Sequence, residues 1–143
     1  MILPDVNLLV YAHDRASLRH ESARIWWSAA LSGDELLALA WVALIGFIRI
    51  TTNRALFPNP LRVDEALSRV EMWLAHPAVR VPHPTHRHAE LLASFLRAAK
   101  TAGNLTTDAH LAALAVEHGC TLCSTDADFG RFPGLIWRNP LAP

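Results

Sequence analysis

Lysine is almost missing from this chain: Lys100 is the only one among 13 basic residues, and 13 acidic residues cancel them to a net charge of zero. That balance excludes a protein that coats nucleic acid over its whole surface, so any such contact is a local patch, for which arginine's bidentate fork is suited. Cysteine is nearly absent as well. Cys120 and Cys123 are too few for a disulfide framework. No apolar run approaches the roughly 18 residues of a membrane span. Met1-Ile2-Leu3-Pro4 meets an aspartate with no basic segment before it, so the expectation is a cytoplasmic protein without leader or membrane anchor. Repeats and low-complexity tracts are lacking too. What the chain has is apolar mass: 52% hydrophobic residues suffice for a core, and 143 residues predict one domain, 1–143.

The apolar pattern alternates between short runs and helical stripes. Ile2 to Asp5 reads as a buried strand, and Val6 to Tyr11 continues apolar. Ser17 is placed to cap a helix reaching about Leu31, with Leu18, Ile25, Trp26 and Ala29 at core spacing. Leu36 to Leu39 reads as a strand. Trp41 to Asn53 reads as a helix with Leu44, Ile45, Phe47 and Ile48 inward. Phe57-Pro58-Asn59-Pro60 breaks the pattern. Asp64 to His76 carries the stripe Ala66, Leu67, Val70, Trp73 and Leu74. Val79 to Val81 is a brief strand, and His86 to Lys100 a helix. Thr106 or Thr107 caps a helix through His118, with Gly119 as its C′ residue. Thr121 to Ser124 and Leu135 to Trp137 are strands. Strands alternating with helices predict an α/β fold with a central, mostly parallel sheet.

Four aspartates stand where apolar runs stop or begin. In a parallel α/β sheet, sites form at the carboxyl ends of strands. Asp5 and the pair Asp126/Asp128 fall there, and Asp108 falls in the first turn of a helix, where the dipole favours a negative charge. Hard cations such as Mg²⁺ take a few carboxylates and keep several waters. Without a cation, gathered carboxylates push at least one pKa upward. Taken singly, Asp108 reads as a cap, and Asp126-Ala127-Asp128 reads as turn chemistry. Asp5 has few inexpensive structural uses at the end of a buried strand.

The segments Leu3-Pro4-Asp5-Val6-Asn7, Gly103 to Ala112 and Ser124-Thr125-Asp126-Ala127-Asp128-Phe129 resemble the three acidic motifs of PIN-domain ribonucleases. The likeness is closest to the VapC toxins of bacterial VapBC toxin–antitoxin systems, and it covers nearly the whole chain. It implies a PIN-like α/β/α sandwich that cuts RNA with Mg²⁺ or Mn²⁺. It also implies a homodimer and a VapB-like antitoxin laid over the groove. By this resemblance Asp5 and Asp108 are the main metal ligands. Asp126 completes the site directly or through water, and Asp128 contributes less. Asn7 and Thr125 orient the carboxylates. One departure stands out: many PIN domains carry a glutamate where Ile45-Gly46-Phe47-Ile48-Arg49 has Gly46, and no acid lies between Glu35 and Asp64. The departure favours one firmly bound metal. It also leaves open a second function, a PIN fold that binds RNA or an antitoxin without cutting.

Other features carry less. Arg49, Arg54 and Arg62 cluster near the third predicted helix as phosphate-binding candidates, with Arg49 either structural or phosphate-holding. His83, His86 and His88 have zinc-like spacing but no accompanying cysteine. Cys120 and Cys123 enter a strand rather than open a helix, which reads as buried small hydrophobes. Five tryptophans exceed what a small core needs, so some are expected to face a partner. Receiver-domain and haloacid-type phosphatase alternatives fail on Lys100, which falls on a helix rather than after a late strand, and on Asp5-Val6-Asn7, which lacks the second aspartate.

Overall fold

The structure, a computed structural model, describes all 143 residues. Five strands form one sheet in the order β3-β2-β1-β4-β5. They are β1 (Ile2–Pro4), β2 (Leu37–Ala38), β3 (Val79–Arg80), β4 (Thr121–Cys123) and β5 (Trp137–Arg138), and every pairing is parallel. Parallel strands need crossovers, and six helices supply them: α1 (Val6–Tyr11), α2 (His20–Ser32), α3 (Trp41–Thr51), α4 (Val63–Ala75), α5 (His88–Ala99) and α6 (Leu105–Glu117). A short 3₁₀ helix, Ala127–Arg131, follows β4. This is the expected α/β/α sandwich, with the sheet parallel throughout.

The two faces of the sheet bury separate cores. Leu8, Leu9, Trp27, Leu44, Phe47 and Trp73, from α1 to α4, pack one side. Phe95, Leu111, Leu114, Leu122, Phe129 and Phe132 pack the other. Trp73 meets Phe47 at 4.8 Å and Trp27 at 5.5 Å between ring centroids, both edge-on. Such pairs add about 0.5–1.5 kcal/mol each beyond their buried area. Registry then fixes the site. Pro4 lies opposite Cys123, and the Asp5 N–H donates to the Cys123 carbonyl at 2.9 Å. The residues just past β1 and β4 therefore emerge side by side.

Three details depart from expectation. First, α2 starts at His20, because Ser17 closes a turn instead: its hydroxyl accepts from Arg19 N–H at 3.1 Å and its carbonyl from His20 N–H at 3.1 Å. The buried stripe is then Ala23 and Trp27. Ile25 lies between these two in sequence and so projects from the other side of the helix, exposed, as are Leu18 and Ala29, and Trp26 is half-buried. Second, Ile45 and Leu67 face outward, leaving Ala43, Leu44 and Phe47 inward on α3 and Ala66, Val70 and Trp73 inward on α4. Third, neither Thr106 nor Thr107 caps α6. It begins at Leu105 after Asn104, whose side chain makes no capping bond, so both threonines lie inside the first turn. Gly119, at φ 64, does follow the helix as the left-handed C′ residue.

Candidate active site

Asp5 is the N-cap of α1, and both its oxygens are engaged. Oδ1 accepts from the Val6 N–H at 2.7 Å, and Oδ2 accepts from the Ser124 hydroxyl at 2.8 Å. Burial pushes its pKa up, the Ser124 and Val6 bonds pull it down, and the charge of Asp126 pushes it up again, with a net rise. Ser124, fully buried just past β4, is the hub of the site. Besides donating to Asp5, its oxygen accepts from Asn7 Nδ2 at 3.1 Å and from the Asp126 N–H at 3.0 Å. One hydroxyl thus ties the end of β1 to the loop after β4.

Asn7 Nδ2 also donates to Thr125 Oγ1 at 3.0 Å, while Asn7 Oδ1 is buried with no partner at all. Asp126 caps the 3₁₀ helix by accepting from the Asp128 N–H at 2.9 Å. Asp128 is exposed and pairs loosely with Arg131 at 3.8 Å. Asp108, half-buried in the first turn of α6, has its pKa pushed up to about 7, first by burial and then by the charges of Asp5, Asp126 and Asp128. All four aspartates therefore share one electrostatic neighbourhood. No three His, Cys, Asp or Glu side chains stand close enough to ligate an ion jointly. The donor chemistry nevertheless fits a hard divalent cation: oxygen ligands, uncompensated negative charge, and an orphaned amide oxygen at Asn7.

Arg49 is exposed in the last turn of α3 and forms no ion pair with the carboxylates. It lines a groove of about 390 Å³ with Val6, Val42, Ile45, Gly46 and Thr107, whose neighbour in sequence is Asp108. At Gly46 a Cβ would sit 3.0 Å from Val6 Cγ2. Here α1 and α3 approach too closely for a side chain without movement of Val6, so the position of the usual glutamate is occupied by close packing. Arg62 is committed to Glu65 at 3.2 Å. The histidine-rich stretch gathers no zinc cluster. His88 Nδ1 bonds Glu117 Oε2 at 2.6 Å, its Nε2 meets His110 Nδ1 at 2.9 Å, and the carbonyl of His83 accepts from His118 at 2.8 Å. Cys120 and Cys123 are free and buried.

Two residues went unseen in the sequence. Ser124 reads there as the end of an apolar run; the signal was a hydroxyl where a buried strand meets an acidic loop. Arg19 places its guanidinium 5.3 Å over the Tyr11 ring, and its Nη1 donates to Tyr11 Oη at 3.1 Å and reaches Thr125 Oγ1 at 3.5 Å.

Comparisons with known proteins agree with this architecture. The PIN domain family model matches residues 2–135. Ribonuclease VapC37 of Mycobacterium tuberculosis is 45% identical over 142 residues, covering 99% of either chain. Ribonuclease VapC43 of the same species is 42% identical, covering 99% of this chain and 96% of the relative. Among solved structures, VapBC2 of Rickettsia felis bound to a promoter DNA fragment superposes with a TM-score of 0.68 at 17% identity, over 97% of this chain and 98% of that one.

Proposed function

This chain belongs to the PIN-domain family and to its VapC ribonucleases, and from that premise we propose that it is a divalent-metal-dependent endoribonuclease, the toxin of a VapBC-type pair. The observation that carries the reading is the shared field at the carboxyl edge of the sheet, where three other aspartates contribute to raising Asp108 to about 7. We read residues 1–143 as one catalytic unit, acting on RNA in the cytoplasm as a homodimer held in check by a VapB-like antitoxin.

Asp5, Asp108 and Asp126 are the residues that would hold Mg²⁺ or Mn²⁺, with Asp128 at the margin. When bound, the ion supplies charge for the phosphodiester oxygens and a water of lowered pKa. The chain's own residues prepare for this. Ser124 and the Val6 N–H fix the Asp5 carboxylate in one rotamer. Asn7 ties itself to Ser124 and Thr125, leaving its Oδ1 free for a water or ligand in the site. Asp108, raised to about 7 in the free protein, would hold the cation in its ionised form. Arg49, which lines the groove beside Gly46, would hold a flanking phosphate.

Gly46 favours a second reading, a PIN fold that binds RNA or an antitoxin without cutting, because no carboxylate occupies that position. Sequencing of RNA 5′ ends after induced expression separates the two. New ends that vanish with Asp108→Asn support the nuclease, and an unchanged set of ends supports the binding module.

A further inference from the structure

Two cations in no ion pair, Arg15 and Arg69, meet away from the carboxylates, where the turn after α1 meets α4. A cavity of about 370 Å³ there is lined by His13, Asp14, Arg15, Asn59 and Arg69, among others. A smaller one of about 160 Å³ shares His13, Arg15 and Arg69. None of the salt bridges in the molecule involves Arg15 or Arg69. Arg69 Nε is sealed from solvent and has no hydrogen-bond partner, a condition rare enough in folded proteins to need a reason. Asp14 is the one acid in the lining, and its Oδ1 already accepts from the Ala16 N–H at 3.0 Å.

His13 adds a third group, one that can take up a proton. Its ring packs against Phe47 at 5.3 Å and Trp73 at 5.4 Å, and Nδ1 donates to the Leu9 carbonyl at 2.7 Å, which leaves Nε2 to take a proton. Burial pushes its pKa down, the Leu9 bond pulls it back up, and the charges of Arg69 and His20 lower it again, with a net fall. Two guanidiniums in no ion pair and a protonatable imidazole around one cavity, with one guanidinium N–H unanswered, form an arrangement that an oxyanion completes.

We propose that this cavity is a phosphate-binding subsite that holds a backbone phosphate of the RNA substrate beside the carboxylate centre. The phosphate chemistry stands on the cavity, whereas its assignment to RNA rests on the ribonuclease reading. RNA is favoured over an acidic peptide because the cations continue toward the centre. Arg19, stacked on Tyr11, reaches Thr125 next to Asp126. Helix α1, which separates Asp5 from His13, is only six residues long, roughly 9 Å. A polyanion with evenly repeated charge can follow that path.

The test has two arms. In the first, inorganic phosphate is titrated into the full-length protein in chloride buffer, with melting temperature and the NMR titration of His13 as readouts. Phosphate is expected to raise the melting temperature and to move the His13 midpoint upward, and Arg69→Gln is expected to abolish both responses. In the second, a labelled single-stranded RNA is bound to the uncleaving Asp5→Asn protein. Arg15→Gln and Arg69→Gln are each expected to weaken binding about tenfold and to flatten the dependence of log K on log salt by about 0.7. Arg15 is exposed, so its variant folds even if Arg69→Gln does not. An absent phosphate response overturns the subsite. A phosphate response with unchanged RNA affinity, or displacement by an acidic peptide instead of RNA, overturns the RNA assignment. Failure of the unmodified protein to cut RNA would sink the ribonuclease reading while leaving the phosphate arm to be judged by itself.

Discussion

Replacing Asp108 with asparagine should make the metal-free protein more stable while abolishing RNA cleavage. Burial and the neighbouring aspartates carry the Asp108 carboxyl from 3.8 to about 7, which would amount to about 4 kcal/mol if the whole effect counted. The group is only half-buried, so solvent screening reduces this to about 1–2 kcal/mol. The fold favours the protonated form, and stability in EDTA therefore falls as pH rises from about 4 through about 7. Asparagine keeps the shape and removes the charge. At about 4 °C per kcal/mol for a chain of this size, Asp108→Asn should melt roughly 4–8 °C above the unmodified protein at pH 8.5 in EDTA. The gap should close below pH 4, and it should shrink when Mg²⁺ is added to both. Thermal melts by circular dichroism across this pH range, with and without EDTA, provide the measurement. A variant less stable than the parent at pH 8.5, or a gap that ignores pH, refutes the idea that the carboxylates repel one another here.

Other substitutions probe other joints of the structure. Ser124→Ala removes the Asp5 donor and orphans the Asp126 N–H; it should cost about 3 kcal/mol, read as a lower melting temperature. It should also move the acid limb of the cleavage profile to higher pH, whereas Thr125→Ala should do much less. Gly46→Ala should gain little of the roughly 1 kcal/mol that alanine offers a helix, because its Cβ would crowd Val6 Cγ2 at 3.0 Å; adding Val6→Ala should recover the gain, as measured in a double-mutant cycle of chemical denaturation. Glu117→Gln breaks a network in which the carboxylate accepts from Thr85 N–H at 2.8 Å, from the Thr85 hydroxyl at 2.6 Å and from His88. It should lower stability by about 2–3 kcal/mol in denaturant melts while leaving RNA cleavage per folded molecule unchanged.

The parts of the molecule that could be read from sequence are those where one residue conflicts with its surroundings. Asp5 was legible because a charge ends a buried strand, and the alternation of short runs with helical stripes was enough to give the parallel sheet. The face of α2 was not legible: its phase depends on where the helix starts, and Ser17 hydrogen-bonds a turn rather than the helix. Ser124 was hidden because a serine beside Leu122 and Cys123 looks like core until Asp5 and Asn7 arrive from the other end of the chain. Arg49, Arg54 and Arg62 were grouped by nearness in sequence, yet Arg62 is paired with Glu65. Arg15 and Arg69 share a cavity only through the fold.

The central claim is that Asp5, Asp108 and Asp126 hold a divalent ion and that the protein cuts RNA with it. The direct measurement is cleavage of one defined RNA by purified protein, with Mg²⁺ or Mn²⁺ and with EDTA, alongside Asp5→Asn. The account predicts discrete products from the unmodified protein only when the metal is present, and none from Asp5→Asn despite an unchanged fold by circular dichroism. Cleavage that persists in EDTA, or full cleavage by Asp5→Asn, would contradict it.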